Sequence, residues 1–278
     1  MGFSIIIPVK EINDYILESV PITLKLDYTD FEIIILPNSK PESPPVFSTN
    51  ERVKIIPTGK VSPAVKRDIG AEHAKYEYLA FLDDDAYPAP DWLKVAEKVF
   101  QENNVSAIGG PGITPPQNTL LQKASGLFYE TYLGGGGMDY RYIPSRKPFL
   151  VDDYPTVNLI VSKKAFDSIG GFDNEYWPGE DTKFCHDLVE IGHKILYSPH
   201  LIVWHHRRSV LAPHLKQVGN YGKHRGYFAK KFPRTSLRLT YFVPSIFLIG
   251  NIGLALLSLL DSFFLQIWAL QHWAPHLA

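Results

Sequence analysis

Residues 78–85, Tyr78-Leu79-Ala80-Phe81-Leu82-Asp83-Asp84-Asp85, decide the fold. A short apolar run bounded by polar residues suits a strand buried on both faces. It passes straight into three adjacent carboxylates, which repel one another and give no reason of stability to sit together. In open α/β sheets ligands bind beyond the carboxyl ends of the strands, which is where this triplet lies. A hard divalent cation offsets the repulsion, because Mg²⁺ and Mn²⁺ favour oxygen ligands. Side chains two apart on extended chain point the same way, so Asp83 and Asp85 can converge on one ion. Such an ion would bridge to a diphosphate and neutralise charge on a leaving group. Taken alone, the triplet fits an acidic loop without metal equally well.

Working outward, residues 4–9, 32–36 and 53–56 read as further buried strands, and 105–109 as another. Between them, 13–26, 64–75 and 91–103 carry helical spacing. Pro21 weakens the first, and Asp91 is placed to cap the third. Strands alternating with helices predict βαβ units and a Rossmann-like, mostly parallel central sheet flanked by helices. The Pro- and Ser-rich stretch 37–50 reads as a loop. Residues 114–154, with Pro115-Pro116, the run Gly134–Gly137 and many tyrosines, are expected to be irregular. Four consecutive glycines have high backbone entropy, so this stretch reads either as a mobile loop near the site or as a disordered surface insertion.

A chain of 278 residues, 45 % hydrophobic and 21 % charged, is globular in composition and long enough for one large domain with an appendage. The single cysteine, Cys185, excludes an internal disulfide and fits a reducing compartment. Met1-Gly2-Phe3-Ser4 enters the first strand with no basic leader, so the catalytic part is expected in the cytoplasm. The net charge of −1 hides an asymmetry. Residues 191–260 hold ten Lys and Arg and no Asp or Glu, which leaves −11 for the remainder. A basic third of this kind faces phosphate, anionic lipid or solvent. No aromatic-basic recognition motif accompanies it, so nucleic acid is not expected as a partner. Residues 241–260 carry no charge and approach the length that crosses a bilayer, although Pro244, Asn251 and two glycines interrupt them. After Asp261, residues 262–273 are largely apolar again. One span, two short segments, a re-entrant hairpin and a soluble helix pair all remain open. Lys230, Lys231, Arg234 and Arg238 just ahead put the flank on the cytoplasmic side of a cell membrane. The division expected is residues 1–210 as catalytic domain, 211–240 as basic juxtamembrane linker or helix and 241–278 as apolar membrane-associated segment.

Two further clusters carry chemistry. Trp177-Pro178-Gly179-Glu180-Asp181 precedes a helical pattern, so its carboxylates either compensate the helix dipole or supply a general base. Trp204-His205-His206-Arg207-Arg208 follows an apolar run. A His there can complete a metal shell and an Arg can hold phosphate, or the His is simply structural.

The order and spacing of these pieces resemble the family 2 glycosyltransferases, with their A-type nucleotide-sugar-binding fold. The resemblance covers roughly residues 3–210. It rests on Ser4-Ile5-Ile6-Ile7-Pro8-Val9, Lys66-Arg67-Asp68-Ile69-Gly70-Ala71 and Phe81-Leu82-Asp83-Asp84-Asp85-Ala86. It continues through Asn158, Gly170-Gly171-Phe172-Asp173 and Gly179-Glu180-Asp181 to the His after Val203-Trp204. The resemblance implies that Asp83 and Asp85 are the outer carboxylates of the DxD element and ligate Mn²⁺ or Mg²⁺, with Asp83 and the intervening Asp84 on the nucleotide side. It implies Asp181 as catalytic base, Glu180 beside it binding or orienting the acceptor, and His205, rather than His206, reaching the metal or diphosphate. Pro8 and Val9 would line the nucleotide pocket, and Arg67 would contact the nucleotide. The chain departs from the pattern at Pro37-Asn38, where an Asp commonly contacts the base, at Asp68, where Asn is common, and at His186-Asp187, where a basic residue is common.

The function so implied is metal-dependent, inverting transfer of a hexosyl group from a nucleotide-diphosphate sugar. The acceptor would be the hydroxyl of a sugar or lipid-linked molecule in cell-surface polysaccharide or glycolipid synthesis. A sugar nucleotidyltransferase would need a glycine-rich basic phosphate loop near the N-terminus, which Pro8-Val9-Lys10-Glu11 does not supply. A catalytically inactive nucleotide-sugar-binding protein has no need of the complete Asp83, Asp85, Asp181 and His205 set.

Overall fold

A computed structural model describes residues 1–144, 146–177 and 179–259. Strands are β1 (Phe3–Pro8), β2 (Phe31–Leu36), β3 (Val53–Ile55), β4 (Tyr78–Leu82), β5 (Ala86–Pro88), β6 (Ala107–Gly109), β7 (Gly112–Ile113), β8 (Phe149–Val151), β9 (Asn158–Ser162), β10 (Ile195–Tyr197) and β11 (Val203–His205). Helices are α1 (Asp14–Thr23), α2 (Pro63–Glu72), α3 (Trp92–Glu102), α4 (Leu120–Glu130), α5 (Tyr132–Gly135), α6 (Lys163–Ser168), α7 (Glu180–Glu190), α8 (Ala212–Lys231), α9 (Pro233–Ser236) and α10 (Val243–Leu257).

β1 and β2 are buried throughout because the sheet is covered on both faces. Alternate residues go to opposite sides. Ile5, Ile7, Ile33 and Ile35 pack with Ile16, Val20, Trp92 and Leu93 of α1 and α3. Ile6, Ile34 and Phe81 pack with Ala64, Ala71, Phe166 and Phe184 of α2, α6 and α7. Asn13 caps α1, and Ser62 caps α2 with Pro63 in its first turn. The main sheet has the order β3-β2-β1-β4-β9-β6-β10-β8. β3, β2, β1 and β4 run parallel, and β9 inserts antiparallel between β4 and β6. A second sheet, β5-β11-β7, stands at the carboxyl end of β4.

One region differs from the sequence reading. Residues 114–154 hold α4, α5 and β8 rather than irregular chain. The glycine run is a compact turn: Gly136 and Gly137 take left-handed φ of 59° and 76°, and a Cβ on Gly134 would lie 2.0 Å from the Phe128 carbonyl oxygen. Most of 211–240 is the helix α8, which seats Phe228 and His214 in the body of the protein. In the C-terminal region Leu239–Leu257 is long and apolar enough to cross a membrane, and none of it is buried. The second apolar run, residues 262–273, lies outside the described residues.

Candidate active site

β4 delivers Asp83 to the floor of a cleft of about 350 Å³. The small sheet supplies its partners. β11 pairs with β5 so that His205 lies opposite Ala86, and the His206 amide donates to the Asp85 carbonyl at 3.0 Å. His205 Nε2 thereby comes to 3.2 Å from Asp85 Oδ1. One ligand atom each from Asp83, Asp85 and His205 lie within 4.8 Å of one another. Two oxygens and one imidazole nitrogen so close together would suit a divalent cation such as Mn²⁺ or Mg²⁺. Arg207 donates to His205 Nδ1 at 3.1 Å and is itself held by the Gly112 carbonyl and Thr114 Oγ1. The two carboxylates differ. Burial pushes Asp83 up against the pull of Arg67, whereas at Asp85 burial is outweighed by its hydrogen-bonded contact with His205, with Arg208 adding to it, and the carboxyl is held low.

Arg67, on the inner face of α2 and 4 % exposed, joins this centre to a second acidic pair. Its guanidinium bonds Asp83 Oδ1 at 3.1 Å and Glu180 Oε1 at 2.8 Å, and lies 5.6 Å from the centre of the Phe172 ring. Glu180 and Asp181 open α7 behind Gly179, whose φ of 153° is open to glycine. A Cβ there would lie 2.6 Å from the ring of Phe228 on α8, so the first turn of α7 and α8 meet at this glycine. The Thr182 amide donates to Asp181 Oδ1 at 2.8 Å. Burial, then Glu180 and Asp153, raise Asp181 to about 7. A carboxylate that titrates near neutrality and faces a cleft has the properties of a general base.

Pro8, Arg67, Asp83, Asp84, Asp85, Glu180, Asp181 and His205 all line this cleft. Val9 does not. Its side chain belongs to the core beneath β1, and its carbonyl accepts from Lys66. Asp84 turns back toward the chain, where Asn13 Nδ2 donates to its Oδ2 at 2.6 Å. Because Asn13 also caps α1, Asp84 fixes the β1–α1 connection to the end of β4. His206 is held by Asn118 at 2.6 Å and Glu18 at 3.0 Å.

The structure accounts for two of the departures. The buried Lys66 Nζ reaches the Leu36 carbonyl at 3.0 Å and Asn38 Oδ1 at 2.7 Å, so Asn38 tethers a lysine at the ends of β1 and β2. Asp68 Oδ1 accepts from the Phe172 amide at 2.9 Å, and burial raises it to about 6.

Sequence reasoning did not find the second half of the site. A cleft of about 460 Å³ shares Arg67, Glu180 and Asp181 with the first and extends along α8 past Trp177. Gln217, Asn220, Tyr221, His224 and Arg225 line it, three or four residues apart on one helical face. That spacing of polar residues was the available signal. Arg141 forms a buried pair with Asp153 at 3.0 Å behind it.

A doubly covered sheet with an acidic triplet at the carboxyl end of β4 gives this chain the A-type glycosyltransferase fold. The sequence profile of Glycosyl transferase family 2 matches residues 4–170, and the chain belongs to that family. A "Pre-mycofactocin glycosyltransferase" of Mycobacterium tuberculosis is 26 % identical over 172 residues, 62 % of this chain and 36 % of that protein. A "Dolichyl N-acetyl-alpha-D-glucosaminyl phosphate 3-beta-D-2,3-diacetamido-2,3-dideoxy-beta-D-glucuronosyltransferase" of Methanococcus voltae is 23 % identical, covering 65 % of this chain and 56 % of that one. The chain thus spans about a third to a half of the length of these relatives. The fold is shared with S. aureus TarS 1-349 in complex with UDP-GlcNAc, at TM-score 0.57, 18 % identity and coverage of 89 % and 72 %. It is also shared with the mannosyltransferase PcManGT from Pyrobaculum calidifontis in complex with GDP-Man and Mn²⁺, at TM-score 0.59, 15 % identity and coverage of 87 % and 67 %.

Proposed function

We propose that the chain is a metal-dependent, inverting glycosyltransferase that moves a hexosyl group from a nucleotide-diphosphate sugar to the hydroxyl of a membrane-borne acceptor. The observation that carries this reading is the adjacency, across Arg67, of the Asp83-Asp85-His205 cluster and a carboxylate that titrates near 7. Asp83, Asp85 and His205 would hold Mn²⁺ or Mg²⁺, which when bound neutralises charge on the diphosphate leaving group. Arg207 donates to His205 Nδ1 while the ring's Nε2 faces Asp85; for Nε2 to ligate a metal the ring proton would have to sit on Nδ1, and the Arg207 contact would open. Asp181 accepts the proton of the acceptor hydroxyl as its oxygen bonds to the anomeric carbon. The bond from that carbon to the diphosphate breaks on the opposite face, and the nucleotide leaves with the electron pair. A single displacement inverts the centre. Glu180, held by Arg67 and the Gly179 amide, forms the wall against which the acceptor is oriented.

The nucleotide sugars in the solved neighbours' complexes support the donor class, and the lipid phosphate in the archaeal relative's name supports a lipid-linked acceptor. The apolar, unburied Leu239–Leu257 with its basic flank supports attachment to the cytoplasmic face of a membrane. Titration calorimetry with Mn²⁺ and a panel of nucleotide sugars tests the reading. At least one donor should bind only with metal, and Asp85→Ala should abolish that binding. Unchanged affinity in Asp85→Ala rejects the metal role, and donor binding without product release identifies a binding-only protein.

A further inference from the structure

α4 faces the wrong way for a helix of a water-soluble domain. Its inward residues are Ser125, Gly126 and Tyr129, and Ser125 Oγ meets His214 Nδ1 of α8 at 2.7 Å. Its outward residues Leu120, Leu121, Leu127 and Phe128 form one stripe, with exposures of 81, 52, 62 and 42 %. Leu211 and Leu215, 72 and 68 % exposed, adjoin it where the Val210 amide donates to the Leu121 carbonyl at 3.2 Å. Leu211 is the only non-glycine residue with positive φ, 75°, among the described residues. A strained backbone that presents a leucine to solvent persists where that side chain has a use outside the fold.

Two observations say what covers this face. It is continuous with the apolar C-terminal helix: α5 extends the stripe through Tyr132 and Leu133, and Gly137 beside it lies against Thr240 at the approach to α10. Exposed lysines also stand on the same two helices, Lys123 on α4 and Lys216 and Lys223 on α8, while residues 191–259 contain no acidic residue. An exposed apolar stripe with lysines on the same helices is complementary to anionic headgroups over acyl chains.

We propose that α4, α5 and the first turn of α8 form an in-plane docking face for an anionic lipid bilayer, continuous with α10. The inference deepens the reading of a membrane-borne acceptor and rests on it. α8 then has two roles. Its first turn meets lipid, and its polar face lines the cleft to Asp181. An acceptor hydroxyl held at the bilayer surface enters that cleft without leaving the membrane.

The test uses the full chain in a Cys185→Ala background, with donor titration confirming the fold. Single cysteines replace Leu121, Leu127 or Leu215, with Val46, 94 % exposed on the catalytic domain, as control. Each carries an environment-sensitive fluorophore in vesicles of phosphatidylcholine and phosphatidylglycerol. Spin-labelled lipid should quench the three sites several-fold more than Val46, and aqueous iodide the reverse. Iodide reaching all four sites alike overturns the proposal. So does shielding of the three from both quenchers, which indicates cover by the chain's own C-terminal residues or a second copy. Leu121→Glu with Leu127→Glu should lower transfer to a vesicle-borne acceptor by about tenfold or more. Transfer to a detergent-dispersed acceptor should be unchanged, and equal loss in both overturns the docking role. If the parent binds no donor, the functional reading fails while the quenching pattern still decides the docking face.

Discussion

Asp181→Asn separates proton transfer from donor binding and predicts opposite effects on activity and stability. In the folded chain this carboxyl titrates at about 7 instead of the ordinary 3.8, because it is buried beside Glu180 and near Asp153. That gap corresponds to on the order of 4 kcal/mol by which ionisation destabilises the folded state. The unfolded carboxyl loses its proton near 3.8 and the folded one near 7, so the folded state holds the extra proton between those values. Its stabilising effect is complete below about pH 4, declines as pH rises and is gone above about 7. Asparagine carries no charge at any pH. At pH 8 the variant should therefore exceed the parent by up to about 4 kcal/mol, a rise in Tm of up to roughly 8–16 °C, and the difference should vanish near pH 4. Turnover should fall by about 10²–10⁴ with donor affinity preserved. In the parent, kcat/KM should climb through about pH 7 from the acid side. Scanning fluorimetry over a pH series, with a coupled assay for released nucleoside diphosphate, measures all of this. A variant with parental turnover, or a Tm difference that ignores pH, refutes the assignment.

Arg67→Met removes the counter-ion of Asp83 and Glu180 and should destabilise by about 3–5 kcal/mol, read by urea denaturation. A loss under 1 kcal/mol contradicts the bridging role. Asn158→Ala should cost a similar ~3–5 kcal/mol, because the buried amide accepts from Trp92 Nε1 and donates to the Gly110 and Leu201 carbonyls, and the alanine leaves all three unpaired. Asp68→Asn keeps the acceptor for the Phe172 amide and loses a carboxylate raised to about 6. Stability should rise by roughly 1–3 kcal/mol above pH 6 and be unchanged at pH 4, since the folded acid holds its proton more tightly than the unfolded one.

β1, β2 and β4 were legible because a strand covered on both faces is apolar at nearly every position, the exceptions Ser4 and Glu32 bonding each other, and α2 and α3 because their buried residues recur at helical spacing. The acidic triplet and the His after Val203-Trp204 were visible as chemistry, and pairing of β11 with β5 joins them. α4 escaped notice because its apolar stripe faces outward while its buried face carries Ser125 and Gly126, where a Cβ would lie 2.2 Å from Thr114 Oγ1. The glycine run has the composition of a flexible linker, and only the approach of Phe128 and Thr240 shows why no larger residue fits. The antiparallel course of β9 depends on what lies either side of it, which no local pattern encodes. The Arg141–Asp153 pair and the polar face of α8 meet only through tertiary packing, so neither residue announces its partner.

Arg67 answers to two masters: its one positive charge is divided between Asp83 and Glu180. Were a cation to take up Asp83, as proposed above, the guanidinium would be left to Glu180 alone, and the two halves of the cleft would be coupled through a single side chain.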